Sequence, residues 1–409
     1  MSLFRLRKLD ALRVYLVQGG AGAVFFSMIF TVNMIYQVEN VGLNPLQLVL
    51  VGTTLELSIL LFEIPTGVVA DVYSRRLSVI AGFFIMGVGF LIEGLFPVFA
   101  AIILSQIVWG IGYTFTSGAT SAWIADELGA ENLTRVYLRN TQAGHLGDLA
   151  GIGLGVVLGS LAINLPIVLG GVGLMGVGLF LLLAMPAAER ESWRQLFDTF
   201  RAGLRLVRGR RALIAIMGIG LFFGLYSEGY DRLWTAHLLH NFTFPAVGDW
   251  QPVVWFGIIR ATGSVLSISA SELLVRRVSG GQARLLVRTV FALSGMLVMA
   301  LLGFAFAGSF AAAAALVLVI GVLRSTIGPL YEAWINQHID SSVRATVLSM
   351  SGQVDAFGQI AGGPVVGWIG NTVSIRAALA ASGMLLTPVL LLLGRLRGRE
   401  AAPATAPGS

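Results

Sequence analysis

The chain of 409 residues is 56% hydrophobic and only 12% charged, with a mean hydropathy of +0.83, a balance that no soluble globular domain tolerates. Its net charge of +6 does not point to nucleic acid, because the basic residues are scattered among short loops and form no patch with interleaved aromatics. Cysteine is absent, which excludes disulfides, thiolate nucleophiles and cysteine-ligated metals, and His145, His237, His240 and His338 show no metal-ligand spacing with carboxylates.

In chain order, the basic segment Met1 to Arg13 precedes an apolar run too long for a signal-peptide core, with no small-residue cleavage site, so the first span is expected to be retained. Hydropathy predicts twelve spans, at about 11–37, 46–70, 77–97, 98–125, 136–162, 165–186, 212–240, 252–275, 284–307, 309–335, 345–370 and 375–395. If the spans alternate, 23 of the 27 Lys and Arg residues fall on one side, and only Arg376 lies in a loop on the other. Positive charge marks the cytoplasmic side, so a multi-pass plasma-membrane protein with both termini in the cytoplasm is expected. The single lysine among many arginines, with minimal loops, suggests a bacterial inner membrane.

The second span ends in Glu63-Ile-Pro-Thr-Gly67-Val-Val-Ala-Asp71-Val-Tyr-Ser74-Arg75-Arg76. An apolar run of about 25 residues, against the about 20 needed to cross a bilayer, exits here on a carboxylate and two arginines. A membrane exit explains Arg75 and Arg76 but not Gly67 and Asp71 at their offsets. The stretch resembles the loop between helices 2 and 3 of the major facilitator superfamily, Gly-x3-Asp-x2-Gly-Arg-Arg/Lys, with Ser74 where a glycine is usual. The resemblance implies a cytoplasmic latch of Glu63, Gly67, Asp71, Arg75, Arg76 and Arg135. In it Asp71 pairs with nearby arginines against the N-terminus of helix 11, here about Arg344 to Met350, where the helix dipole favours negative charge.

Span 4 ends in Ser121-Ala122-Trp123-Ile124 and span 10 in Glu332-Ala333-Trp334-Ile335; each is followed by a short acidic loop, then Arg135 or Arg344, then a Gln- and Gly-rich span. Such a parallel repeat matches the superfamily architecture. The resemblance implies an all-α membrane protein of twelve transmembrane helices in two pseudo-symmetric six-helix bundles, 1–186 and 212–395, with a substrate cavity at the midplane between them. Between the bundles, residues 187–211 place Trp193, Leu196, Phe197, Phe200, Leu204 and Val207 at helical spacing with arginines opposite. This reads as an amphipathic linker helix on the cytoplasmic surface, and 396–409 reads as a disordered tail.

Charges at lipid depth are costly and rarely idle. Glu56 and Glu63 share a face of span 2; His145 and Asp148 are one turn apart on span 5; span 7 carries Glu228, Asp231 and Arg232; span 8 carries Arg260, span 10 Arg324, and span 11 Gln353 and Asp355. Ion pairing would satisfy about three acids, Glu228 with Arg232 first at the i, i+4 spacing. More acids than arginines remain. An unpaired midplane carboxylate can carry a proton, and one proton moving down about 100 mV delivers about 2.3 kcal/mol. The candidates are Asp148, with His145 as relay or as a packing hydrogen bond, then Asp231, Asp355 and Glu56.

Span 5 reads Gly147-x3-Gly151-Ile152-x2-Gly155-Val156 and span 11 Gly358-x3-Gly362-Gly363-Pro364-x2-Gly367. Such spacings let helices approach closely. The first is similar to the helix-5 motif of drug/proton antiporters, with Ile152 replacing the proline and Val156 the last glycine; span 4 resembles their helix-4 motif but carries Gln106 in place of the coupling arginine. Helices 1, 4, 7 and 10 line the cavity in this superfamily. The implied lining is Phe26, Asn33, Tyr36, Trp109, Tyr113, Tyr226, Glu228, Tyr230, Trp234 and Arg324, joined by Arg260.

An aromatic cavity with few polar groups suits a hydrophobic or cationic solute better than a sugar. The expected function is proton-coupled export of such molecules by alternating access. A lipid flippase or a proton-linked metabolite importer of the same fold stays open, as does, more remotely, a non-transporting receptor. No enzymatic constellation and no nucleotide-binding Gly-x4-Gly-Lys-Ser/Thr is present. The expected partners are a small-molecule substrate and the lipid bilayer, with no nucleic acid, for a monomer that uses the proton gradient and no cofactor.

Overall fold

The computed structural model describes residues 10–129, 133–186, 211–278, 283–338 and 344–401. Among them the chain is helical, with no strand. The helices are α1 (Ala11–Ile35), continued by a π-helical turn (Tyr36–Asn40), α2 (Pro45–Val72), α3 (Arg75–Leu95), α4 (Phe99–Thr116), α5 (Ala119–Leu128), α6 (Leu133–Leu161) and α7 (Leu165–Ala184). Then follow α8 (Arg211–Asn241), α9 (Pro252–Val278), α10 (Ala283–Ala305), α11 (Phe310–His338), α12 (Arg344–Thr372), α13 (Ile375–Leu385) and α14 (Thr387–Ala401). The expected linker helix over 187–211 lies, but for Arg211 in α8, outside the described residues, as do 402–409 of the expected tail; α14 itself runs past Arg395 to Ala401.

Among the described residues ten stretches are long and apolar enough to cross a membrane, counting α4 with α5 and α13 with α14 as one each. The remaining long helices, α8 with 31 residues and α12 with 29, coincide with expected spans 7 and 11 but carry Glu228, Asp231, Arg232 and Asp355. Three expected spans are not single straight helices. The fourth breaks at Ser117-Gly118, where Gly118 adopts φ +68°, a left-handed conformation that glycine accepts without steric cost. The last breaks at Leu386, ahead of Pro388, which has no N–H to continue the ladder. The first ends in the π turn.

Local chemistry sets the helix starts. Asn44 and Gln47 form a reciprocal capping box of 2.9 and 3.0 Å with Pro45 in the first turn. Ser74 and Ser374 cap α3 and α13 by accepting from the N–H of Leu77 at 3.3 Å and of Ala377 at 3.1 Å. Ser74 has φ −177°, extended backbone open to any residue, so nothing at this position requires the glycine of the related loop.

The described residues cluster into two compact units, one within Met1–Arg194 and Ala246–Ala261, the other within Gln195–Pro245 and Thr262–Ser409. In the first, α1 packs on α6, and α3 on α4 and α7. The α1–α6 contact is made by glycines: a side chain at Gly147, Gly151 or Gly155 would strike the backbone carbonyl of Gly20, Val24 or Met28. The start of α9 joins this unit, with Gly257 against Val156 and Gln251 Nε2 donating to the Ser160 carbonyl at 3.3 Å. In the second unit α8 packs on α12 and α13, and α10 on α11. Gly358 and Gly362 of α12 abut the carbonyls of Leu221 and Leu225, while Gly224 of α8 abuts that of Asp355. The repeated tryptophans, Trp123 and Trp334, are both buried.

Candidate functional site

The second unit contains a cavity of about 450 Å³ between α8, α10, α11 and α12, within the size range of small-molecule sites. Phe223, Tyr226, Tyr331 and Ile327 form its apolar walls, with Asp231, Arg324, Glu332, Asp355, Gln359 and Ser351 as polar groups. Arg324 grips Asp231 with both terminal nitrogens, Nη2 to Oδ2 at 2.8 Å, the bidentate geometry that guanidinium favours. The same guanidinium carbon lies 5.8 Å from the ring centre of Tyr226 and 5.6 Å from that of Tyr230, within cation–π range. Asp355 accepts from Gln359 Nε2 at 2.9 Å and forms no ion pair among the described residues.

Glu228 does not line this cavity. It is 3% exposed and accepts from Arg232 Nε at 3.0 Å, the expected pair. Tyr230 borders the cavity only through Arg324, and Trp234 does not line it.

In the first unit Arg260 Nη1 donates to the Phe30 carbonyl at 3.1 Å, and the guanidinium lies within electrostatic reach of Asp148, while its Nε is buried without a hydrogen-bond partner. His145 is exposed and also within reach of Asp148. Three arginines therefore sit beside three acids: Arg232 with Glu228, Arg324 with Asp231, Arg260 with Asp148. On α2, Glu56 and Glu63 both lie near Tyr113, and Glu63 accepts from the Ser117 hydroxyl at 2.9 Å.

Of the expected cavity lining, Phe26, Trp109 and Tyr113 join Phe30 and Phe90 in one aromatic cluster. Asn33 and Tyr36 turn instead toward Glu93 of α3, which is fully buried. Its carboxylate receives Gln37 Nε2 at 2.7 Å, Asn33 Nδ2 at 3.4 Å, Ser105 Oγ at 3.3 Å and Gln106 Nε2 at 3.5 Å, and its carbonyl receives the Tyr36 hydroxyl at 2.8 Å. Sequence reasoning missed Glu93 because it lies four residues from the end of the expected third span and reads as an interfacial charge. The signal was present in the amides and hydroxyl of Asn33, Gln37, Ser105 and Gln106, which need a common partner at that depth.

At the other end of this unit Arg75 bridges Asp71 and Asp126, joining α2, α3 and α5. Arg76 caps the C-terminus of α7, donating to the carbonyls of Met185 at 2.8 Å and Leu182 at 2.6 Å. A side chain at Gly67 would meet open space. Arg135 is exposed and makes no ion pair among the described residues. Asp126 was not legible as a partner, since it stands 51 residues from Arg75.

The profile of the Major Facilitator Superfamily matches residues 15–354. An uncharacterized MFS-type transporter of Bacillus subtilis (strain 168), YxaM, is 24% identical over 358 residues, covering 85% of this chain and 86% of its own. Among solved structures, the nucleoside transporter NupG superposes with a TM-score of 0.75 at 14% identity over 97% of this chain and 100% of its own. A bacterial homologue of the human lysosomal transporter Spinster, inward-facing and unoccupied, superposes with a TM-score of 0.75 at 13% identity over 95% and 96%.

Proposed function

The chain belongs to the Major Facilitator Superfamily, and from that premise we propose that this transporter exports hydrophobic or cationic small molecules by alternating access, driven by protons. The observation that carries this reading is the cavity of the second unit, in which aromatic walls surround Asp231, Glu332 and Asp355 against the one cation Arg324. Negative charge beside aromatic faces suits a lipophilic cation. The same surplus of acid suits a proton: with Asp231 held by Arg324, Asp355 is the carboxylate whose hydrogen-bond partner is the neutral Gln359, and neutralising it costs no ion pair.

The likeness of the span-5 glycines to the drug/proton antiporter motif supports the direction of transport, although Ile152 and Val156 there, and Gln106 on span 4, depart from the antiporter pattern. A second reading, proton-linked uptake of a polar metabolite, is favoured by the exposed edge of the Arg324–Asp231 pair, since the two side chains stay 31% and 41% open and can bond a polar solute together with Ser351 and Gln359.

The test is dye movement in proteoliposomes under an imposed pH gradient, with the parent, Asp355→Asn and Asp148→Asn. Accumulation of an ethidium-like dye by the parent and its loss in Asp355→Asn is expected. Loss in Asp148→Asn alone would move the proton to the first unit. Absence of gradient-driven dye movement in the parent would overturn the export reading in favour of a metabolite or a lipid.

A further inference from the structure

We propose that Glu93 is a binding site for a monovalent cation, a proton or a sodium ion, built into the outer half of the first unit and linked through Gln106 to the aromatic cluster around Trp109. The carboxylate is completely buried, yet the hydrogen bonds around it are uneven. Gln37 Nε2 is close at 2.7 Å, whereas Ser105 Oγ, Asn33 Nδ2 and Gln106 Nε2 stand at 3.3, 3.4 and 3.5 Å, beyond the usual range for good hydrogen bonds. Neutral donors at such lengths hold an ionised carboxylate loosely.

A second observation points to the ligand. Gln37 is itself fully buried, and while its nitrogen donates to Glu93, its Oε1 has no hydrogen-bond partner. An orphaned buried acceptor of this kind is destabilising, and here it belongs to the amide that touches the carboxylate. A half-turn of that amide presents Oε1 to Glu93. The same cage then satisfies the acid, whose O–H donates to Oε1, as well as the carboxylate, which accepts from Nε2. With a sodium ion, Oε1 becomes a second oxygen ligand beside the carboxylate.

The titratable group facing Glu93 from α1 and its π turn is the Tyr36 phenol, which donates to the Glu93 carbonyl; Glu39 of that turn is exposed. Helices α4 and α7, packed on either side of α3, contain no Asp, Glu, Lys or Arg. On α2 and α5, Glu56 and Glu63 lie beside Tyr113, and Asp71 and Asp126 are held by Arg75. The amides of Asn33, Gln37 and Gln106 and the Ser105 hydroxyl are the dipoles that would share the entering cation's site with Glu93.

Gln106 Oε1 accepts from Trp109 Nε1 at 2.9 Å, so the amide nearest Glu93 on α4 also fixes the indole. Trp109 stacks on Phe90 with 5.4 Å between centroids and meets Phe30 and Tyr113 edge-on. Loading Glu93 removes the charge that attracts the Gln106 nitrogen and frees this amide and the indole to reorient. Only the consequence for transport rests on the export reading; binding of the ion does not.

The test is difference infrared spectroscopy of the full-length protein in nanodiscs, titrated between about pH 5 and about pH 9 and followed in the carbonyl stretch of protonated carboxyl groups. The parent is expected to gain a carboxyl band as pH falls that persists in Asp148→Asn and Asp355→Asn and is lost in Glu93→Gln. Suppression of that band by sodium chloride, but not by choline chloride, at fixed pH identifies sodium as a competing occupant; indifference to sodium identifies the proton alone. If Glu93→Gln fails to fold, Glu93→Asp is expected to shift the band or its midpoint. A spectrum unchanged in folded Glu93→Gln or Glu93→Asp, with no sodium response, overturns the proposal. Dye export without a Glu93 band would leave the export reading standing and remove this one, and a Glu93 band without dye export the reverse.

Discussion

Ser74 is where the related loop carries a glycine, and the structure gives it a task of its own as the N-cap of α3. Replacing it by alanine should cost about 1 kcal/mol, whereas the family's own glycine should cost only a few tenths. Thermal unfolding in detergent is expected to rank the proteins parent, Ser74→Gly, Ser74→Ala. Beside it, Asp71 shares Arg75 with Asp126. The pairs are about a third exposed and add little stability, so Asp71→Asn should express and melt like the parent. It is nonetheless expected to lose or uncouple transport; full dye transport by this variant would remove the latch role. At this scale the sequence was partly legible. Asp71 with Arg75 and Glu228 with Arg232 are four residues apart and follow from helical spacing. Asp126 with Arg75 and Asp231 with Arg324 are separated by 51 and 93 residues, and no local rule brings them together.

Among elements, the α1–α6 and α8–α12 contacts use the same device. Gly151 and Gly153 are two residues apart on α6, yet a side chain at the first strikes the Val24 carbonyl and at the second meets nothing. Backbone cannot yield as a flexible side chain can, so Gly151→Leu should exceed the usual 1–3 kcal/mol of overpacking and is expected to abolish folded protein in size-exclusion chromatography. Gly153→Leu should elute as the parent does. The glycine spacing was readable as close packing from the sequence, but not which helix lay opposite. The breaks at Gly118 and Leu386 were hidden because hydropathy averages over a window and does not register where a helix ends and restarts.

For the whole molecule, the absence of cysteine makes topology directly testable. With both termini cytoplasmic, Asn164→Cys and Gly308→Cys should react with a membrane-impermeant maleimide in intact cells, and Tyr73→Cys and Gly129→Cys only after permeabilisation. Reaction of Tyr73→Cys in intact cells would invert the orientation argued from the arginines. Membrane residence, helical class and superfamily membership were all legible in the chain, because they rest on properties summed over many residues: 56% hydrophobic composition, spans of the right length, and a loop motif. A bilayer leaves the backbone of an apolar run little choice but helix.

What the sequence by itself determined is therefore the solvent of this protein, its secondary structure and its family, together with the short-range pairs that helical spacing dictates. The tertiary structure alone decided which acids are matched by arginines distant in the chain, that Asp355 shares its cavity with a carboxylate already paired, and that Glu93 lies among amides drawn from α1, its π turn and α4. The physical reason is that the state of a buried charge is set by the groups surrounding it in space. Those groups arrive here from helices tens of residues apart, beyond the reach of any local periodicity.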